Sequence, residues 1–93
     1  MFARVSTYEG DAGSLREGFE RATDPLRQIE GLERAYFLIG DGGKAMSITL
    51  WESRDALEAS AEAANQLRDD ATQPSGATIA SVDSYEVAIA VNE

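Results

Sequence analysis

Two apolar segments separated by a glycine-rich tetrapeptide constrain the fold of this chain more than any other feature of its sequence. Residues 32–39 and 44–51 are rich in apolar, aromatic and β-branched side chains, and residues 40–43 read Gly-Asp-Gly-Gly. Glycine and aspartate tolerate the positive φ angles that tight hairpin turns require. The sequence therefore predicts an antiparallel β-hairpin with strands Leu32–Ile39 and Lys44–Trp51.

The length of the hairpin loop decides which side chains share a face of the sheet. A loop of two or four residues places Ile39 opposite Lys44 and Tyr36 opposite Ser47, whereas an odd-length loop would undo this pairing. With the even loop, one face of the hairpin carries Phe37, Ile39, Met46, Ile48 and Leu50. The other face carries Tyr36, Leu38, Ala45, Ser47, Thr49 and Trp51.

The segment before the hairpin predicts one strand and one helix. Residues 2–8 alternate in the manner of a strand, and Ser14 with Glu17 has the spacing of a capping box at a helix start. Pro25 lies inside the helical pattern, so we expect a kink or break near Thr23.

The segment after the hairpin predicts a second helix and a last strand. Ser53 is the expected N-cap of the helix, and the strand is expected over Thr78–Val91. The complete order is β-α-β-β-α-β, which indicates an α+β fold with an antiparallel sheet in a single domain over residues 1–93.

Both faces of the predicted hairpin carry large apolar groups, whereas two helices can cover only one face of a sheet. A second copy of the sheet is the economical cover for the other face, and a symmetric homodimer supplies it. The alternative is a monomer whose second face is amphipathic and meets water.

The composition excludes several classes of function. The net charge of −9 and the absence of any Lys/Arg run disfavour nucleic acids and anionic membranes as partners. The chain has no histidine and no cysteine, which excludes a Ser-His-Asp triad, a thiolate nucleophile and a Cys-ligated metal site. No apolar stretch is long enough to span a membrane, and Met1–Gly10 is not a signal peptide. We therefore expect a cytoplasmic protein with no metal and no cofactor.

The stretch Leu50-Trp51-Glu52-Ser53-Arg54-Asp55-Ala56-Leu57 resembles the end of the third strand and the following helix start in a known family. This family is the antibiotic-biosynthesis-monooxygenase-like group of the dimeric α+β barrel proteins. Gly31-Leu32 leading into Tyr36-Phe37-Leu38 adds to the likeness, and the order of elements agrees over nearly the whole chain.

The resemblance implies a ferredoxin-like subunit, a dimer formed through the sheet faces, and a pocket between each sheet and its own helices. Members of the group include cofactor-free oxygenases, haem-degrading oxygenases, isomerases and proteins with no assigned activity. A tryptophan at the position of Trp51 lines the pocket in several oxygenases. The haem-degrading branch binds iron through a histidine on the second helix, and this chain has no histidine.

The candidate ligand-binding residues are those expected around Trp51. An indole can hold a flat molecule and donate one hydrogen bond, and Tyr36, Ser47 and Thr49 are expected on the same face. Arg4 on the first strand is the remaining candidate, because it can stabilise a carboxylate, a phenolate or an oxyanion. The alternative for the first four is ordinary core or interface packing. For Arg4 it is extension of the charged end to solvent, or an ion pair with a carboxylate such as Glu86. No catalytic residue is assigned.

Two functions follow as hypotheses. The first is a small dimeric binding module that holds a small apolar or aromatic molecule without catalysis. The second is a cofactor-independent monooxygenase or isomerase acting on a small aromatic or polyketide-like substrate. The absence of an evident general base favours the first.

Overall fold

The computed structural model describes residues 1–92, with the backbone alone at Ser75. Its elements are β1 (Phe2–Glu9), α1 (Ala12–Arg27), β2 (Leu32–Ile39), β3 (Lys44–Trp51), α2 (Arg54–Ala59), α3 (Ala61–Thr72), a 3₁₀ turn (Gln73–Ser75) and β4 (Thr78–Glu86). The predicted β-α-β-β-α-β order is confirmed, with the second helical region divided into α2 and α3 at Ser60.

One four-stranded antiparallel sheet has the order β2-β3-β1-β4, so β1 lies between β3 and β4. Its helix-facing side packs on α1 through an aromatic cluster. The ring centroid of Phe19 lies 5.2 Å from that of Tyr8, edge to face, and 4.6 Å from that of Phe37 in a stack. Leu15 and Ala45 complete the buried part of this cluster. The core therefore lies between α1 and the β1–β3–β2 part of the sheet.

The hairpin has a three-residue loop, so the predicted even-length register is wrong. Ile39 pairs with Ala45, and the Gly40 amide donates to the Lys44 carbonyl over 2.9 Å. Gly43 belongs to the loop because its φ is positive and its carbonyl accepts a hydrogen bond from the Gly10 amide of the β1–α1 turn. This contact with a turn far away in the sequence cannot be inferred from the residues of the hairpin alone.

The one-residue shift exchanges the two faces of β2 relative to β3. Phe37 now pairs with Ser47 on the helix-facing side, and Tyr36 pairs with Ile48 on the opposite side. The alternation within each strand is as expected, but Tyr36 does not share a face with Ser47. The side without helices, here called the open face, carries Tyr36, Leu38, Met46, Ile48, Leu50, Val5 and Tyr85.

The start and end of α1 also differ from the expectation. Asp11, not Ser14, caps the helix, because its Oδ2 accepts a hydrogen bond from the Ser14 amide over 3.0 Å. Hydrogen bonding to Ser14 lowers the pKa of Asp11. No break occurs at Thr23, because Pro25 lies in the last turn and α1 ends at Arg27. A proline there removes only one intrahelical bond before the helix ends.

The last strand is shorter than predicted. It ends at Glu86, and the Val87 amide makes a final hydrogen bond to the Met1 carbonyl over 3.0 Å. The β1–β4 ladder ends at the pair Phe2 and Glu86. Ile89 and Val91 are 83% and 77% exposed.

Within residues 1–92, no helix combines the length and the apolar character needed to cross a bilayer.

The crossing of α1 and α3 depends on Gly18. A Cβ atom at this position would lie 2.2 Å from the Ala71 carbonyl oxygen. We expect Gly18→Ala to lower the free energy of unfolding by about 1–3 kcal/mol, because the helices must separate. Gly13→Ala in the same helix is the control, since its Cβ would meet only the Asp11 carboxylate at 3.4 Å. Urea denaturation of both variants checks this, and equal effects would contradict the close crossing.

Candidate functional site

A cavity of about 40 Å³ lies between the sheet and the helices. A void of this size holds only a few water-sized groups. Its polar lining comes from Arg4, Ser6, Tyr8, Ser47, Thr49 and Arg68. Its apolar lining comes from Phe19, Ala22, Leu26, Phe37, Ala64, Leu67 and Ala71. This mixture of an apolar wall and a few convergent polar groups is typical of small-molecule sites.

Strand alternation explains why β1 supplies three of the polar groups. Arg4, Ser6 and Tyr8 follow each other at a spacing of two, so all three point toward the helices. All three are buried. The Tyr8 hydroxyl and the Ser47 hydroxyl form a hydrogen bond of 2.8 Å across the β1–β3 ladder. The floor of the cavity is therefore a row of buried polar groups, two of which, Arg4 and Tyr8, have hydrogen-bond partners in the protein.

Arg4 connects the sheet to the break between α2 and α3. Its guanidinium donates to the Leu57 carbonyl over 2.7 Å and to the Ser60 hydroxyl over 3.2 Å. The Ser60 hydroxyl in turn donates to the Leu57 carbonyl over 2.7 Å. These groups satisfy a carbonyl at the end of α2 that has no helical partner. The predicted pairing with Glu86 is wrong, because Arg4 points toward the helices and bonds only neutral groups there.

Trp51 lies behind Arg4 and does not line the cavity. Its side chain is fully buried, and the Arg4 guanidinium lies 5.5 Å from the centroid of its ring. The indole N–H donates to the Thr49 hydroxyl over 2.9 Å. The indole therefore contacts two residues that line the cavity, Arg4 and Thr49, but not the cavity itself.

Of the five candidate residues, Tyr36 alone is on the other side of the sheet. It is 45% exposed on the open face, where its hydroxyl accepts a long hydrogen bond from Arg34. The structure brings Arg4, Ser47 and Thr49 together at the cavity, with Trp51 behind them. The expectation that Tyr36 joins them is wrong, because it followed from the even-length loop.

Sequence reasoning missed three polar lining residues, Ser6, Tyr8 and Arg68. Tyr8 shares the strand face of Arg4, which the alternation of residues 2–8 already showed. Arg68 is buried on α3, four residues after Ala64 and three before Ala71. This helical spacing is compatible with burial, but a charged residue is ordinarily assigned to the solvent side of a helix.

The electrostatics of the cavity are set by two cations. Burial lowers the pKa of Arg4, and the nearby charge of Arg68 lowers it further. Arg68 donates to the Ala64 carbonyl over 3.3 Å and to the Asn65 side-chain oxygen from both of its terminal nitrogens. Over residues 1–92, no group of three or more acidic side chains is arranged to hold a metal ion.

No protein-family model matches the sequence, and no curated protein matches it either.

Solved structures do match the fold over nearly the whole chain. One, from Deinococcus radiodurans, is described as a possible antibiotic biosynthesis monooxygenase, with a TM-score of 0.77, 18% identity, and coverage of 100% of this chain and 98% of that chain. The cofactor-independent oxygenase SnoaB from Streptomyces nogalater has a TM-score of 0.76 at 18% identity, covering 99% and 97%.

A third structure is the heme-degrader MhuD from Mycobacterium tuberculosis, with two hemes bound in its active site. It has a TM-score of 0.69 at 24% identity and covers 99% of this chain and 100% of that chain. Likenesses at these identities establish the fold. The resemblance noted around Trp51 is thus confirmed: the chain has the ferredoxin-like α+β fold of antibiotic biosynthesis monooxygenase-like proteins.

Proposed function

We propose that this protein is a homodimeric binding module that holds a small apolar or aromatic molecule between its sheet and its helices. The observation that carries the proposal is the cavity, whose apolar walls enclose a row of buried polar groups. Such a row is costly in a core that serves packing alone, because each polar group must be desolvated.

The cavity must enlarge to admit an aromatic molecule, because drug-sized ligands occupy pockets of about 300–1,000 Å³. The division of the second helical region at Ser60 supports such a movement. α3 packs chiefly on α1 and makes little contact with the sheet, whereas α2 packs on β1 and β3. An outward tilt of α3 would therefore widen the cavity with few sheet contacts broken, while the aromatic cluster keeps α1 on the sheet.

Dimerisation through the open face is the second part of the proposal. Leu38 and Tyr36 are nearly half exposed at one edge of this face, and Tyr85 is more than half exposed at the other. Met46, Ile48 and Leu50 lie between them. A contiguous apolar surface of this kind is typical of an interaction site. A second copy of the same sheet matches it in shape and character.

Cofactor-independent oxygenation is the second candidate function, supported by the likeness of the fold to SnoaB. A deprotonated phenol can react directly with oxygen, and the site would have to stabilise the anion and exclude water. The Arg4 guanidinium and the buried hydroxyls fit that role. The lining contains neither a carboxylate nor an imidazole to act as base, so binding is the proposal we place first.

Native mass spectrometry with one pair of variants tests the dimer. We expect the unmodified protein to be a dimer at micromolar concentration, and Leu38→Glu to be a monomer, because the new carboxylate would be buried unpaired in the interface. Ala63→Glu, on the exposed side of α3, is the control and should remain dimeric. A monomeric unmodified protein would contradict the proposal.

The pocket is tested with 2-naphthol as the aromatic probe and Trp51, the sole tryptophan, as the fluorescent reporter. We expect saturable quenching, and at least about tenfold weaker binding to Ala64→Leu, whose larger side chain fills the cavity. Ala63→Leu adds the same atoms on the exposed side of the helix and should bind normally. Equal affinities in the two variants would argue against a ligand in this cavity. Oxygen uptake with the same probe tests the oxygenase alternative.

A further inference from the structure

We propose that the cavity is built for an organic acid, with the carboxylate of the ligand bound between Arg4 and Arg68. This inference rests on the proposed pocket and names the charge of its occupant.

Within the part of the chain that the structure describes, the two arginines are buried without an anionic partner. Each is only 7% exposed. In the described part of the chain, their hydrogen-bond acceptors are backbone carbonyls, the Ser60 hydroxyl and the Asn65 amide oxygen. Within residues 1–92, no carboxylate contacts either one, although the protein carries 17 acidic residues in all. Buried charges in proteins are normally paired, because an isolated ion is expensive to remove from water.

Helix capping explains the position of Arg4 but not that of Arg68. The acceptors of Arg4 lie at the end of α2, where the chain needs a donor. Those of Arg68 lie in its own helix, and the Ala64 carbonyl belongs to the regular hydrogen-bond ladder of α3. A long arginine side chain ordinarily extends its charged end to water. The side chain of Arg68 is instead buried between α3 and the sheet, near the guanidinium of Arg4.

The two guanidiniums approach the same void from opposite layers. Arg4 comes from the sheet and Arg68 from α3, and both line the cavity of about 40 Å³. That volume suits a group of three or four heavy atoms. The planar fork of a guanidinium matches a carboxylate with two parallel hydrogen bonds. Each guanidinium has five N–H donors, and those shown here leave donors available on both.

Accessibility of the remaining donors supports the same conclusion. No fully buried side-chain nitrogen or oxygen in residues 1–92, Ser75 aside, lacks a hydrogen-bond partner. The Nε atoms of Arg4 and Arg68, which make no hydrogen bond there, are therefore not fully sealed from solvent. An anion in the cavity would offset the burial and the repulsion from Arg68 that together lower the pKa of Arg4. The adjoining Phe19 and Phe37 walls suit an apolar or aromatic body attached to the carboxylate.

Two pairs of probes of matched shape test the inference: benzoate against benzamide, and acetate against acetamide. The readout is the indole N–H signal of Trp51 in a ¹H–¹⁵N NMR titration, which is a single peak because the chain has one tryptophan. We expect each carboxylate to bind at least about tenfold more tightly than its amide. In Arg68→Met, which keeps the length of the side chain and removes the charge, this preference should fall to about twofold or less.

A stability measurement separates this role from ordinary packing. Since Arg68→Met removes one of two like charges and leaves no buried carbonyl unpaired, we expect it to raise the Tm of the ligand-free protein by roughly 4 °C. Arg4→Met should lower the Tm, because the Leu57 carbonyl and Ser60 lose their donor. A lower Tm for Arg68→Met together with an unchanged carboxylate preference would overturn the inference.

The outcomes also separate this inference from the proposed function. Equal binding of benzoate and benzamide overturns the anion site and leaves the aromatic pocket standing. Binding of acetate without either aromatic probe supports the anion site and overturns the aromatic pocket. Binding of none of the four probes overturns both.

Discussion

The guanidinium of Arg4 is the group on which the helix side of this protein depends. It covers the indole of Trp51, bonds the last turn of α2, and supplies one wall of the cavity. Without it, the Leu57 carbonyl would be buried with only the Ser60 hydroxyl as a donor, and the second helical region would have less reason to divide at Ser60. One side chain therefore contributes to the cavity wall, to the cover over the tryptophan and to the hydrogen bonds at the break between α2 and α3. A single strand residue organises three elements because β1 is central in the sheet.

Local patterns in the sequence predicted the elements, and long-range contacts decided how they fit together. Hydrophobic alternation placed β2 and β3 at their observed bounds, since alternation is a property of a single strand. The register of the two strands depended on Gly40 pairing with Lys44 while Gly43 stays in the loop, where its carbonyl bonds the Gly10 amide, far away in the sequence. The end of β4 depended likewise on where β1 begins. Neither fact is present in the segment concerned.

The residues of the candidate site were likewise predictable where local alternation placed them, and not where long-range packing did. Arg4, Ser47 and Thr49 were predictable because each lies on a strand whose alternation is clear. Tyr36 was misplaced by the one-residue register shift. Arg68 was missed because a charged residue in a helix is ordinarily assigned to the solvent side, and only the packing of α3 on α1 shows that it is buried.

The strand order β2-β3-β1-β4 has a consequence for how the chain folds. The β2–β3 hairpin is local and can form early, whereas β4 joins β1 from the far end of the described chain. The hydroxyls of Thr7 and Ser81, which bond across this last pair, are 74 residues apart in the sequence. Closing so large a loop makes for slow folding among domains of this size. During synthesis, β1 therefore has one unpaired edge until β4 has left the ribosome. Chaperones or misfolded copies can bind that exposed edge.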